Sequence, residues 1–337
     1  MRVVSDKQLV KPASLESGAQ VEVKGAVMEK NVLLPIDNSR QTIETIQYAA
    51  QMAAVVFPVT FTLLHIQPAL SQYLTEEAQR KPGALQALEK VMTENEKMAR
   101  EILETAAMRM IGKGVDESRI KRMTLPRKSG VADDILALGA AKSYDAILVG
   151  RRGASYLRQW LMGSVTANLV EHSELIPIWV VDSTVPSSNI LLAADGSQAT
   201  LRALDHLAFM LSGNHAQTIK MLHIRPRIQD YCEIVLEEEM TQNAETVILN
   251  GDQQCMTDFN HQAITVLRKN GVNEDCVEMV TLEGKLSVTR SILNYARDNG
   301  FGTVVLGRRG QSNSAFFGSV SRGLLQRAEG MALWVVP

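Results

Sequence analysis

Apolar residues gather in short runs separated by longer stretches with helical spacing. In the first half of the chain the runs 32–37, 59–66, 119–125, 145–149 and 177–181 read as strands. The stretches 40–55, about 85–111, 131–142 and 164–173 read as helices. The strand runs are nearly continuous in Val, Ile and Leu, as expected of parallel strands buried on both faces. Strands alternating with helices predict a doubly wound α/β fold, a layout that right-handed crossovers make nearly obligatory. In such a sheet ligands bind beyond the carboxyl ends of the strands, where the winding reverses. The apolar stretch Ala49 to Leu64 contains Gln51, Pro58, Thr60 and Thr62 and is shorter than the roughly 20 apolar residues of a membrane span. It reads as a helix end, a turn at Phe57-Pro58 and a strand from Val59, so no transmembrane segment is expected.

The same pattern then recurs. Val32-Leu-Leu-Pro-Ile-Asp-Asn-Ser39 matches Ile190-Leu-Leu-Ala-Ala-Asp-Gly-Ser197, and Leu63-Leu-His-Ile-Gln-Pro68 matches Met221-Leu-His-Ile-Arg-Pro226. Leu148-Val-Gly-Arg-Arg-Gly153 matches Val305-Leu-Gly-Arg-Arg-Gly310, and Ile178-Trp-Val-Val181 matches Leu333-Trp-Val-Val336. Four blocks in one order at nearly constant offset mean a duplicated domain, with a period too long for a solenoid. The expected organisation is an N-terminal extension (1–29), a first domain (30–182), a linker (183–187) rich in Ser, Thr and Pro, and a second domain (188–337). Within the extension only Val21-Glu22-Val23 alternates, which suits a tail or an added edge strand. It has no apolar core of a signal peptide.

Composition adds mainly exclusions. The 337 residues carry 35 Lys plus Arg against 37 Asp plus Glu, a formal charge of -2, so there is no electrostatic case for nucleic acid or an anionic membrane. The three cysteines, Cys232, Cys255 and Cys276, form no CxxC pair and read as reduced thiols of a cytoplasmic protein.

The chemistry concentrates after the fourth strand. Gly150 is followed by Arg151, Arg152 and Gly153, then nine residues, then Gly163-Ser164 and a helical pattern beginning at Val165. Glycines let backbone amides approach phosphate oxygens, Ser164 suits an N-cap, and the helix N-terminus contributes partial positive charge. The plainer alternative is a strand-to-helix loop whose glycines only permit turns. Asp37 and Asp195 end the first strand of each repeat and can cap the following turn or accept from ribose hydroxyls. The pairs Arg151-Arg152 and Arg308-Arg309 suit phosphate, but equally a solvated loop or a neighbouring domain. His65 and His223, at matching strand ends, read as structural. The stripe through Leu88, Val91, Met98 and Ile102 reads as core. Trp160-Leu161-Met162 and Phe316-Phe317 could pack on a partner domain or close over a ligand. No Walker loop, GxGxxG or GxSxG occurs.

Gly150-x2-Gly153-x9-Gly163-Ser164, with Pro35-Ile36-Asp37-Asn38-Ser39 upstream, resembles the universal stress protein family, and the whole chain beyond the first 30 residues resembles its tandem-domain members. The resemblance implies two five-stranded, Rossmann-like sheets of the adenine nucleotide alpha-hydrolase type. It implies ATP, with or without Mg, or ADP or AMP, held by Asp37 at the ribose, by the main chain at Ile66 near adenine, and by Gly150, Arg152, Gly153, Gly163, Ser164 and Val165 at the phosphates. The second repeat offers Asp195, Ile224, Gly307, Gly310, Gly318 and Ser319, but only seven residues separate Gly310 from Gly318. Tighter binding by the first repeat is therefore expected. The resemblance also implies that Ile178-Trp-Val-Val181 and Leu333-Trp-Val-Val336 pair the repeats within the chain, with room for a homodimer, and that an unknown protein partner reads the bound state. The expected role is a nucleotide-binding regulatory module of the stress response with little or no catalysis and at most slow ATP hydrolysis. The alternatives are a nucleotide-free interaction scaffold and an enzyme acting on an adenylated substrate.

Overall fold

A computed structural model of the chain describes residues 3–4, 28–151, 162–214, 218–227, 238–284, 287–310 and 318–337. Two compact units emerge, one of Glu29–Ala54 and Val59–Thr184, the other containing Val55–Pro58, Val185–Pro337 and the N-terminal β1 (Val3–Val4).

The first unit begins with β2 (Lys30–Pro35), α1 (Arg40–Ala53) and β3 (Val59–Gln67). It continues through α2 (Gln72–Arg80), α3 (Pro82–Ile111), β4 (Ile120–Pro126) and α4 (Val131–Ala141) to β5 (Ala146–Gly150), α5 (Ser164–His172) and β6 (Ile178–Val181). All its neighbouring strands are parallel, in the order β4-β3-β2-β5-β6. Winding reverses between β2 and β5, which opens a crevice at their carboxyl ends. Continuous apolar strands follow from burial on both faces: Val32, Leu33, Leu34, Ile147, Leu148 and Trp179 are fully buried. In α1 the buried residues Thr45, Ile46, Tyr48, Ala49 and Met52 form the single inward stripe of an amphipathic helix.

The second unit repeats this plan with β7 (Ile190–Ala194), α6 (Gln198–Leu211), β8 (Ile219–Arg225), α7 (Glu238–Lys269) and β9 (Val277–Glu283). It ends with α8 (Val288–Asp298), β10 (Thr303–Gly307), α9 (Ser319–Arg327) and β11 (Ala332–Val336). Its parallel order is β9-β8-β7-β10-β11. Among the described residues this unit contributes six strands, not five as expected, because β1 adds antiparallel to β9, with Val3 opposite Leu282. The anticipated strand at Val21-Glu22-Val23 lies outside the described residues.

The sequence pattern assigns no element to residues 72–80, which form α2, capped by Ser71 Oγ accepting from the Leu74 amide at 3.3 Å. One further expectation needs correction. The stripe along α3 is core only in its second half. Ala99, Leu103, Ala106 and Met110 are buried, whereas Leu85, Val91 and Met98 are about half exposed. A 30-residue helix is about 45 Å long and outruns strands of at most nine residues, so its first turns project past the sheet.

Two polar side chains illustrate how the interior holds such groups. Arg151, at the end of β5, is buried and donates from Nη1 to Asp182 Oδ1 at 2.8 Å. The Gln41 side chain donates to the carbonyls of Val181 and Asp182 at 3.1 and 2.6 Å. In the second unit His206 lies edge-on to Trp334, with ring centroids 5.7 Å apart. Although part of its surface reaches solvent, burial of the ring pushes its pKa down to about 3.

Removing one member of the buried ion pair, as in D182A, takes the carboxylate away from the buried Arg151 guanidinium and should destabilise the first unit by about 3–5 kcal/mol, read as a lower denaturant midpoint. For His206 the unfolded chain takes up a proton near pH 6.5 and the folded unit only near pH 3. The unfolded state thus holds more protons between these values, and stability falls as pH drops through that window. In H206Q the melting temperature should depend less steeply on pH over the same range.

Candidate functional site

In both repeats the loop after the fourth strand is pinned in the same way. The Gly163 amide donates to the Arg151 carbonyl at 2.8 Å, and Thr166 Oγ1 to the Gly150 carbonyl at 2.7 Å. The Gly318 amide donates to the Arg308 carbonyl at 3.2 Å, and Ser321 Oγ to the Gly307 carbonyl at 2.9 Å. These bonds close the base of each loop, so the two-residue deletion in the second repeat falls between fixed ends. Arg152, Gly153, Trp160, Leu161, Phe316 and Phe317 lie outside the described residues.

The serines differ from expectation. Gly163 and Gly318 are the capping residues, and Ser164 and Ser319 are the first residues inside their helices, with no side-chain cap on either helix. The first intrahelical bonds run from Ala167 to the Gly163 carbonyl and from Arg322 to the Gly318 carbonyl. The amides of residues 164–166 and 319–321 therefore point out of the helix ends without intrahelical partners, giving each end partial positive charge.

Close approach, not turn conformation, accounts for two of the glycines. A Cβ on Gly150 would sit 2.0 Å from Gln41 Cγ, so this residue is a packing requirement of α1 against β5. A Cβ on Gly310 would lie 2.8 Å from Asp195 Oδ2, so here the loop passes directly over a carboxylate.

Asp195 does two things at once. Its Oδ1 accepts from the Ser197 amide at 3.0 Å and from Thr200 Oγ1 at 2.6 Å, which shapes the start of α6. Its Oδ2 faces the loop at Gly310. Asp37 organises the start of α1 likewise, Oδ1 accepting from the Ser39 amide at 3.1 Å, Ser39 Oγ at 2.5 Å and Thr42 Oγ1 at 2.9 Å. The turn and ribose readings of this aspartate are thus not exclusive, since each needs one oxygen.

A cavity of about 300 Å³ opens in the second unit at the carboxyl ends of β7, β8 and β10. All six second-repeat residues singled out from the sequence, Asp195, Ile224, Gly307, Gly310, Gly318 and Ser319, line it. Leu222, Val288, Ile292 and Leu306 supply apolar wall, and Arg309 reaches its rim. In the first repeat Asp37, Ile66, Gly150, Gly163, Ser164 and Val165 occupy the equivalent strand and helix ends. The arginines split their roles: Arg151 turns inward to Asp182, Arg308 is buried, and Arg309 remains exposed beside the cavity.

Each strand-end histidine bridges two strands, His65 Nδ1 to the Ile36 carbonyl at 2.8 Å and His223 Nδ1 to the Ala194 carbonyl at 3.0 Å. Sequence reasoning missed Asp252 on α7, whose carboxylate lies 3.0–3.1 Å from His223 Nε2 and lines the cavity. Nothing in the local sequence marks it, because its role depends on how α7 lies across the sheet. Among the described residues no group of three or more His, Cys, Asp or Glu could hold a metal ion, and no helix is long and apolar enough to cross a membrane.

The sequence model of the universal stress protein family matches residues 28–182 and again residues 187–337. The chain belongs to the universal stress protein family, with one copy of its domain in each half. Among solved structures, a universal stress protein from Archaeoglobus fulgidus DSM 4304 superposes with a TM-score of 0.58 at 19% identity, over 91% of this chain and 97% of its own. A functionally unknown protein from Pseudomonas aeruginosa PAO1 superposes with a TM-score of 0.50 at 15% identity, over 91% and 92% of the two chains. At such identities the likeness is one of fold, the paired α/β architecture of universal stress proteins. Comparison with curated protein sequences finds no match.

The double role of Asp195 can be separated by substitution. D195N keeps an acceptor for Ser197 and Thr200 and should retain near wild-type stability. D195A loses both bonds and should cost about 1–3 kcal/mol in chemical denaturation.

Proposed function

We propose that this universal stress protein is an adenine-nucleotide-binding regulatory module, with ATP as its ligand and the cavity of the second repeat as a binding site. The observation that carries the reading is the convergence, on one crevice, of a loop whose Gly310 passes too close to the Asp195 carboxylate for a side chain, an uncapped helix N-terminus and an apolar wall. Each suits a different part of a nucleotide. The wall formed by Leu222, Ile292 and Leu306 suits a planar base. Asp195 Oδ2 suits ribose hydroxyls, which donate to carboxylates. Open amides of Ser319 and Val320, the helix N-terminus and Arg309 suit phosphate oxygens. The bare Cα of Gly310 supports the fit, since any side chain there would enter the space above Asp195.

The proposed output is conformational. A nucleotide that spans the loop and the far wall of the crevice favours the loop arrangement it contacts, and a partner protein distinguishes that arrangement only through differential affinity. Hydrolysis is not needed for this and is expected to be slow. The first repeat keeps the longer Gly-x2-Gly-x9-Gly-Ser loop, and tighter binding there is proposed from that spacing.

Isothermal titration of the full chain with ATP and ADP should show binding, and Gly310→Val should remove one class of site while leaving the circular dichroism spectrum unchanged. Absence of binding to the wild-type chain would overturn the reading and favour a nucleotide-free interaction scaffold. Rapid ATP turnover lost in D37A would favour an enzyme.

A further inference from the structure

The two crevices are built from homologous strands, yet among the described residues one carries a buried His–Asp contact that the other lacks. His223 and Asp252 have side chains only 5% and 9% exposed. The His223 ring is held between two acceptors, the Ala194 carbonyl on Nδ1 and both Asp252 oxygens on Nε2. Held at both nitrogens, the ring fixes the position of the Asp252 carboxyl group beside the apolar wall. In the first repeat His65 has the Ile36 carbonyl on Nδ1 and, among the described residues, no carboxylate on Nε2. Glu94, which stands as far before the end of α3 as Asp252 before the end of α7, is exposed.

Resting on the nucleotide reading above, we infer that Asp252, positioned by His223, makes the second-repeat cavity selective for purine nucleotides whose base carries an exocyclic amino group. A carboxylate has about four acceptor positions, and His223 occupies two of those on Asp252. The rest project from a side chain that lines the cavity together with Leu222, Val288 and Ile292. An amino group on a base enclosed by that wall donates to them. A base with an oxo group and no amino group presents lone pairs instead, leaving two buried acceptors facing each other without a proton. Sites built around one such polar contact reject the mismatched analogue strongly, whereas apolar contact alone discriminates weakly. Selectivity thus resides in an acceptor on α7, separate from the loop that takes the phosphates.

The test compares ATP with ITP, which has an oxo group where adenine has its amino group, at the site silenced by Gly310→Val. In the full-length wild-type chain ATP should bind that site at least about tenfold more tightly than ITP. In Asp252→Asn, whose amide can donate or accept, the preference should shrink to within about threefold, mainly through tighter ITP binding. If Asp252→Asn proves unfolded, N6,N6-dimethyl-ATP on the wild-type chain replaces it, since the methyl groups remove both donors. It should then bind at least about tenfold more weakly than ATP at that site. An undiminished preference for ATP in a folded D252N, equal binding of ATP and ITP to the wild type, or equal binding of ATP and the dimethyl analogue would overturn the assignment. Loss of all Gly310→Val-sensitive nucleotide binding would instead overturn the nucleotide reading of this cavity, and the inference with it.

Discussion

The second-repeat site depends on one close approach, the passage of the backbone at Gly310 over the carboxylate of Asp195. The distance is too short for any side chain, so the loop must carry glycine there. The aspartate cannot drift, because its other oxygen is tied to Ser197 and Thr200 at the start of α6. The loop in turn is tethered at its base by the Gly318 amide and by Ser321. Strand end, helix start and loop base therefore fix one another, and the crevice between them is a consequence of backbone geometry.

Duplication gave two copies of the strand-end, loop-base and helix-start plan, and the copies have diverged in ways that the shared scaffold tolerates. The loop bases are closed by corresponding hydrogen bonds, so loss of two residues leaves the strand and helix ends where they were. Divergence deeper in the structure includes the buried polar contacts. The first repeat buries Arg151 against Asp182, and the second buries His223 against Asp252 beside its cavity. Buried pairs of this kind contribute little net stability but are costly to break, so they act as fixed points around which neighbouring side chains settle.

Several glycines and arginines that looked alike in sequence do different work. Gly150 admits the Gln41 side chain, whereas Gly310 admits a carboxylate. Arg151 and Arg308 turn into the protein while Arg309 stays at the rim, because successive residues leaving a strand face opposite ways. Ser164 and Ser319 contribute the first turn of a helix in place of a cap, since the preceding glycine already occupies that position.

Much of the fold was legible from the chain alone. Continuous Val, Ile and Leu runs record burial on both faces of a parallel sheet, and repetition of whole blocks, such as Leu-Gly-Arg-Arg-Gly, records the duplication. That Asp195, Ile224 and the glycines of the second loop would meet at one cavity was legible too, because strand ends and helix starts leave their residues at fixed places in the local pattern. Only the tertiary structure decided that β1 joins β9, that α3 outruns its sheet, and that Asp252 meets His223. Those outcomes turn on which turn of a long helix, or which part of a distant segment, comes to lie beside a strand. Local spacing carries no record of that, because it is set by the packing of elements far apart in the chain.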